Sequence, residues 1–305
     1  MQNQDGSVAD TETGTIMQVS EVNNCGKVRD EDIMQQKSAI QAEEAGKIPF
    51  VGDKEPLSSL AAEYKSGNPI LLEKIKVISE IYAAIRRTRG DGNCFFRSFM
   101  FAYLEYILES QDRTEVDRIK NSVEECRKTL LSLGYVEFTF EDFFELFLEQ
   151  LDSVLPGNED SIDHDKLVQR CRDPSVSDYV VMFFRFITTG EIRKRSEFFE
   201  PFIQGLTNTS VEQFCKSSVE PMGEESDHVH ITALSDALGV PIRVVYLDRS
   251  HDEKGNVSAN HHDFIPTSEN AKNNSGESTA AAAVGVEPFV TLLYRPGHYD
   301  ILYSK

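Results

Sequence analysis

Apolar residues along this chain recur at two periods, and the stretches where each period holds predict the elements. Leu57, Leu60, Ala61 and Tyr64 share one face of a short helix after Pro56, a residue suited to a first helical turn. A second helix is predicted from Pro69 to Ile85. From Cys94 to Glu109 (CFFRSFMFAYLEYILE) the run is apolar nearly all round, which predicts a central, buried helix. Glu115 to Leu133 is amphipathic and stops at Gly134, a good residue just past a helix end. Thr139 and Asp142 resemble a capped start leading into FFELFLEQL. SVSDYVVMFFRFITTG repeats the pattern, with Ser177 as its N-cap and Gly190 as its stop.

The period shortens to two only late in the chain. VPIRVVYL (240–247) is β-branched and bounded by Gly239 and an Asp-Arg-Ser turn. FVTLLY (289–294) and HYDILY (298–303) are joined by Arg-Pro-Gly, where Pro296 and Gly297 fit the middle of a type II turn. Between these strands, residues 249–287 are polar, rich in Ser, Asn and Gly, and predict a long mobile loop. Residues 1–46 lack any sustained period and are acidic, the composition of a disordered tail. The expectation is therefore one α+β domain over 47–305, a helical body packed on a small antiparallel sheet, behind a disordered tail.

Composition narrows the function. The formal net charge of −20 argues against nucleic acid and against anionic membrane surfaces, because both need clustered cations. No stretch approaches the roughly 20 apolar residues of a membrane span. The N-terminus has neither the basic nor the apolar region of a secretory signal. The five cysteines are widely spaced with no C-x-x-C, which supports neither a zinc ribbon nor a redox pair; a reducing compartment, cytosol or nucleus, is the expected setting. Cys126, Cys171 and Cys215 fall in helical patterns and read as buried packing residues, whereas Cys25 lies in the tail.

Cys94 is different. In RTRGDGNCFFRSFM it follows a tight polar turn and opens the predicted central helix, whose unpaired N–H groups favour an anion. Gly90 and Gly92 let the backbone turn sharply, so that N–H groups from Asp91 to Cys94 can converge as an oxyanion hole requires. On this segment alone, a packing cysteine after a polar turn explains the pattern as well. A proton acceptor must come from one of seven histidines. His164, His251, His261 and His262 lie in polar stretches and read as solvated, and His228 and His230 as capping or core hydrogen-bonding residues without zinc spacing. His298 opens a strand directly after a turn, and Asp300, two positions on, shares its face. His298 alone is also compatible with a capping role. Together the three residues describe a cysteine hydrolase of Cys…His-x-Asp order, with the carboxylate fixing the imidazole's tautomer.

The same residues carry a resemblance. DGNCFFRSF with LLYRPGHYDILY, and FVGDKEPLSSLAAEY, FTFEDFF, SDYVVMFFRF, FFEPFI and VEPMGEESDHVHITALSDALGV, in that family's order from Ile48 to Tyr303, are similar to the otubain branch of the OTU cysteine deubiquitinases. The resemblance implies a papain-like OTU fold, a monomer without cofactor or metal, and cleavage of the isopeptide bond between the ubiquitin C-terminus and a lysine, with lysine-48-linked chains as the expected substrate. It implies Cys94 as nucleophile, His298 as general base and Asp300 as its orienter. Asp91, Gly92 and Asn93 form the active-site turn, with Asp91 in a mainly structural role. The proximal ubiquitin is expected near residues 54–65 and the distal one across 205–247. The competing expectation is a regulator that binds ubiquitin and ubiquitin-conjugating enzymes without using its thiol. A third is a cysteine hydrolase acting on another modifier or an ordinary peptide. Finally, an acidic protein suits the Arg-containing Gly-Gly tail of ubiquitin, which needs a narrow slot beside Asn93 and Cys94.

Overall fold

The apolar run after Cys94 does form the central helix, α3 (Cys94–Ser110), preceded in the chain by α1 (Ser58–Glu63) and α2 (Pro69–Ile81). The computed structural model describes residues 48–157, 160–250, 257–267 and 287–305. The predicted tail 1–46, with Cys25, lies outside them, as does most of the predicted loop 249–287, with His251.

Because α3 is apolar on every side, it can be covered on every side. It packs on strands β5 (Val290–Arg295) and β6 (His298–Ser304) and, away from the sheet, on α6 (His164–Arg172) and α7 (Pro174–Lys194). Phe95, Phe96, Phe99 and Phe101 are fully buried, each worth about 1.5–3 kcal/mol by removal from water. The helical layer is cemented by rings from α7 and from α5 (Glu141–Ser153). Phe147 stacks on Phe183 at 4.3 Å, and Phe99 meets Phe184 edge-on at 5.2 Å. The amphipathic helix α4 (Arg113–Ser132) starts on Asp112, whose carboxylate accepts from the N–H groups of Thr114 and Glu115, and is followed by Gly134 at φ +87°.

Six strands form one sheet in the order β1-β2-β6-β5-β3-β4. Neighbours are antiparallel except β3 (Ile242–Tyr246) and β5, which run parallel, so the sheet is mixed and larger than the small antiparallel one expected. Three strands escape the sequence patterns. β1 (Val51–Pro56) and β2 (Tyr82–Thr88) form an N-terminal antiparallel pair. β2 takes the last four residues of the predicted helix 69–85, because Tyr82–Arg86 pairs with both β1 and β6 and that ladder outweighs the alanines' helical preference. β4 (His261–Phe264) lies inside the predicted loop and pairs with β3.

Two helix limits also move. α7 starts at Pro174, capped by Asp173, and Ser177 is buried inside it. Gly190 does not stop α7, which runs on to Lys194; a Cβ at Gly190 would lie 3.3 Å from Leu130, so the glycine permits close packing on α4. The predicted start near Thr139 is a 3₁₀ turn, Glu137–Thr139, and α5 then begins without a side-chain cap.

Candidate active site

The turn before α3 is built by two buried arginines. Arg97, one turn into α3, donates through Nε (3.2 Å) and Nη2 (2.9 Å) to Asp91 Oδ2, through Nη1 to Ser177 Oγ and through Nη2 to Asp178. Its guanidinium lies 3.7 Å over the Phe50 ring. Asp91 Oδ1 accepts from the Asn93 N–H at 3.0 Å, so the carboxylate is fully engaged in shaping the turn. Arg185, from α7, donates through Nη2 to Asn93 Oδ1 at 2.7 Å and to the Glu224 carbonyl at 2.8 Å, and through Nη1 to the Val219 carbonyl. Burial lowers the Arg185 pKa to about 10, which leaves it cationic at neutral pH.

Asn93 joins this turn to the segment 221–226, because its Oδ1 also accepts from the Gly223 N–H at 3.0 Å. The two backbones touch there. Gly92 has φ +76°, and a Cβ on it would fall 1.7 Å from the Gly223 carbonyl oxygen. The far end of the segment is tied down by Tyr299, whose hydroxyl donates to the Ser226 carbonyl.

Hydrogen bonding divides the turn's donors. The Asp91 N–H goes to the Arg89 carbonyl and the Asn93 N–H to Asp91. Asn93, expected among the converging donors, therefore contributes its side chain to the turn rather than its N–H to an oxyanion. The N–H groups of Gly92 and Cys94 are left at the start of α3, which carries no side-chain cap.

His298 opens β6 after the Pro296–Gly297 turn, with Gly297 at φ +73°. Its Nε2 donates to Asp300 Oδ1 at 2.9 Å. The turn passes over the imidazole at Gly90, where a Cβ would meet Nδ1 at 3.5 Å, an ordinary contact. Burial disfavours the charged ring, but the hydrogen bonds with Asp300 and then Cys94 outweigh it and raise His298 to about 9. With Nε2 committed to Asp300, any proton exchanged with the Cys94 thiol travels by Nδ1. Asp300 is fully buried; burial alone would raise its carboxyl, but the His298 hydrogen bond, the Arg295 charge and the Thr88 N–H hold it below the usual range.

Among the described residues, the remaining thiols and imidazoles lie elsewhere. Burial pushes Cys126, Cys171 and Cys215 up to about 12, so none is a thiolate near neutral pH. His230 completes a capping box with Asp227 at the start of α10 (His228–Leu238), and His228 meets the Tyr246 hydroxyl at 2.8 Å. His164 is exposed yet paired, its Nε2 2.7 Å from buried Glu105, where simple solvation was expected. His261 and His262 are exposed on β4. Among the described residues, no group of His, Cys, Asp and Glu side chains could hold a metal ion.

Comparison with known proteins gives the same order of motifs a family. The family Peptidase C65 Otubain matches residues 43–304. The ovarian tumor domain-containing deubiquitinating enzyme 1 of Arabidopsis thaliana is 68% identical over 282 residues, 92% of this chain and 88% of that one. The human ubiquitin thioesterase OTUB1 is 41% identical over 275 residues, 90% of each chain. A solved h/ceOTUB1 in complex with ubiquitin aldehyde and UBCH5B~Ub superimposes with a TM-score of 0.75 at 34% identity, covering 91% of this chain and 99% of that one.

Proposed function

The chain belongs to the peptidase C65 otubain family, and from that premise we propose that it is a thiol-dependent ubiquitin hydrolase in which Cys94, His298 and Asp300 carry the chemistry. The observation that carries this reading is the hydrogen bond between a helix-initial thiol and an imidazole whose Nε2 is held by a buried carboxylate. His298 takes the thiol proton on Nδ1, and the sulfur attacks the carbonyl carbon of the terminal glycine of ubiquitin. The N–H groups of Gly92 and Cys94 receive the oxyanion. As the tetrahedral intermediate collapses, His298 returns the proton to the leaving lysine amine. Water, activated by the same imidazole, then hydrolyses the thioester and regenerates the thiol. Asp91 moves no proton in this scheme; with Arg97 and Asn93 it keeps the turn in place.

The Gly-Gly substrate tail is proposed to pass beside Asn93 and Cys94, where Gly92 and Gly223 bring two backbones into contact without side chains. For the ubiquitin bodies we assign the proximal one to residues 54–65 and the distal one to 205–247, where Tyr246 and His228 stack. Phe198, Phe202 and Leu206 extend that second surface as an exposed stripe along α8 (Ser196–Thr207), the helix before the short α9 (Val211–Phe214). Lysine-48-linked chains are the substrate to test first, and cytoplasm and nucleus the compartments. Because solved relatives hold UBCH5B~Ub or UBC13~Ub, a charged conjugating enzyme is the second partner we propose, and restraint of that enzyme the second function.

The test is incubation with di-ubiquitins of each linkage beside Cys94→Ala and His298→Ala. Cleavage by the parent alone is the expected result. Binding without cleavage of any linkage would leave the regulatory role in its place, and absence of both would overturn the assignment.

A further inference from the structure

A carboxylate that orients an imidazole must itself be held, and what holds Asp300 extends beyond the turn and the histidine. Oδ1 accepts from the Thr88 N–H at 3.0 Å and from His298 at 2.9 Å; Oδ2 accepts from Arg295 Nη2 at 2.6 Å. Arg295 ends β5, directly opposite His298 in the antiparallel register. Its second terminal nitrogen, Nη1, lies 3.7 Å from Glu63 Oε2, at the end of α1, and the Tyr64 side chain hydrogen-bonds the same guanidinium. Glu63 Oε1 is 2.6 Å from Nη2 of Arg87, on β2. Since β2 and β5 flank β6, one glutamate bridges two arginines that straddle the strand bearing His298 and Asp300. Nε of both arginines is buried without a hydrogen-bond partner, so the outer nitrogens alone fix the two guanidinium planes.

Taking the hydrolase function above as its basis, we propose that Arg295 is a positioning residue for Asp300, and that Glu63 is the anchor that keeps Arg295 in place, so that the end of α1 belongs to the apparatus that holds the imidazole. Two properties follow. Loss of Arg295 frees Oδ2 to turn and weakens the Asp300–His298 hydrogen bond. Loss of the Glu63 charge is expected to act on His298 through Arg295, the one of its two arginine partners that contacts Asp300.

An NMR titration of the full chain tests the first property without any substrate, with the His298 resonance assigned by its absence in His298→Ala. In Arg295→Met the His298 midpoint is expected to fall by about one unit or more. A guanidinium that merely added positive charge would on removal leave the midpoint in place or let it rise, and that result overturns the proposal. Arg295→Lys, which keeps the charge and one donor, is expected to restore part of the shift and covers the case in which Arg295→Met folds poorly.

Kinetics on ubiquitin carrying a small C-terminal fluorogenic amide test the second, since that substrate has no proximal ubiquitin. Glu63→Gln is expected to lower kcat several-fold, the scale of one partly exposed ion pair, with KM unchanged. Its effect should vanish in an Arg295→Met background, the signature of action through that arginine. Additive losses, or an effect confined to KM for di-ubiquitin, would make Glu63 a binding residue and overturn its assignment. Absence of turnover by the parent would count against the hydrolase function instead, and the NMR titration alone would then decide the role of Arg295.

Discussion

Gly92 shows how much of the site depends on one absent side chain. Its φ of +76° costs a residue with a Cβ about 1–3 kcal/mol, and the Cβ would also meet the Gly223 carbonyl at 1.7 Å. Backbone cannot rotate aside as a side chain can, so Gly92→Ala must push the turn off the segment 221–226 and carry the N–H of residue 92 with it. Thermal unfolding should show a lowered Tm, and kcat should fall by about 10²-fold or more, the usual consequence of losing one oxyanion donor. His298 supplies the residue-scale pH dependence. Its folded-state pKa of about 9 stands above the ordinary 6.5, so protonation of the ring favours the folded state. That contribution is complete below about 6.5 and is lost as pH rises through about 9. Denaturation of the parent at pH values on either side of this window should show it, and Asp300→Asn, which removes the largest cause of the upward shift, should flatten the difference.

At the level of elements, α10 matters because its start continues the segment that seats Gly92. Asp227 accepts from the N–H groups of Val229 and His230, and His230 reaches back to the Asp227 N–H. Asp227→Ala should cost about 1–2 kcal/mol in chemical denaturation and lower kcat as the Gly223 contact loosens. What the sequence made legible follows a division between local and distant causes. Gly134 after α4 and the Pro296–Gly297 turn act within a few residues, and each lies where the patterns placed it. Cys94 at a helix start and the His298–Asp300 pair on one strand were legible for the same reason. β1, β2 and β4 were not, because partners distant in sequence make them strands; Tyr82–Arg86 is a strand only beside β1 and β6. The same limit hid Arg185, Arg295 and Glu63. Each looks like a surface charge until the fold brings Asn93, Asp300 and the two arginines to it. Ser177 was misread as a cap because its partner, Arg97, stands 80 residues away.

For the whole molecule the decisive quantity is charge. A net charge of −20 sets up a long-range field, and the proposed substrate tail carries arginine. Attraction of this kind raises the rate of encounter and acts little on bond breaking, because the reacting groups are buried and screened less than surface charges. Between about 0.01 M and about 1 M salt the screening length falls from about 30 Å to about 3 Å, from the reach of a domain to that of a single contact. KM for a ubiquitin substrate should therefore rise several-fold across this range while kcat holds nearly constant. The segment 1–46 carries nine acidic residues against three basic ones, so most of the negative charge belongs to the rest of the chain. A chain lacking that segment should accordingly keep most of the salt dependence. If KM proved insensitive to salt in both forms, the negative field would have no part in capture, and recognition of the tail would rest on the narrow approach between Gly92 and Gly223. If salt lowered kcat as well, screening would have reached the ion pairs around the site, where the half-exposed Glu63 beside Arg87 and Arg295 is the most accessible link.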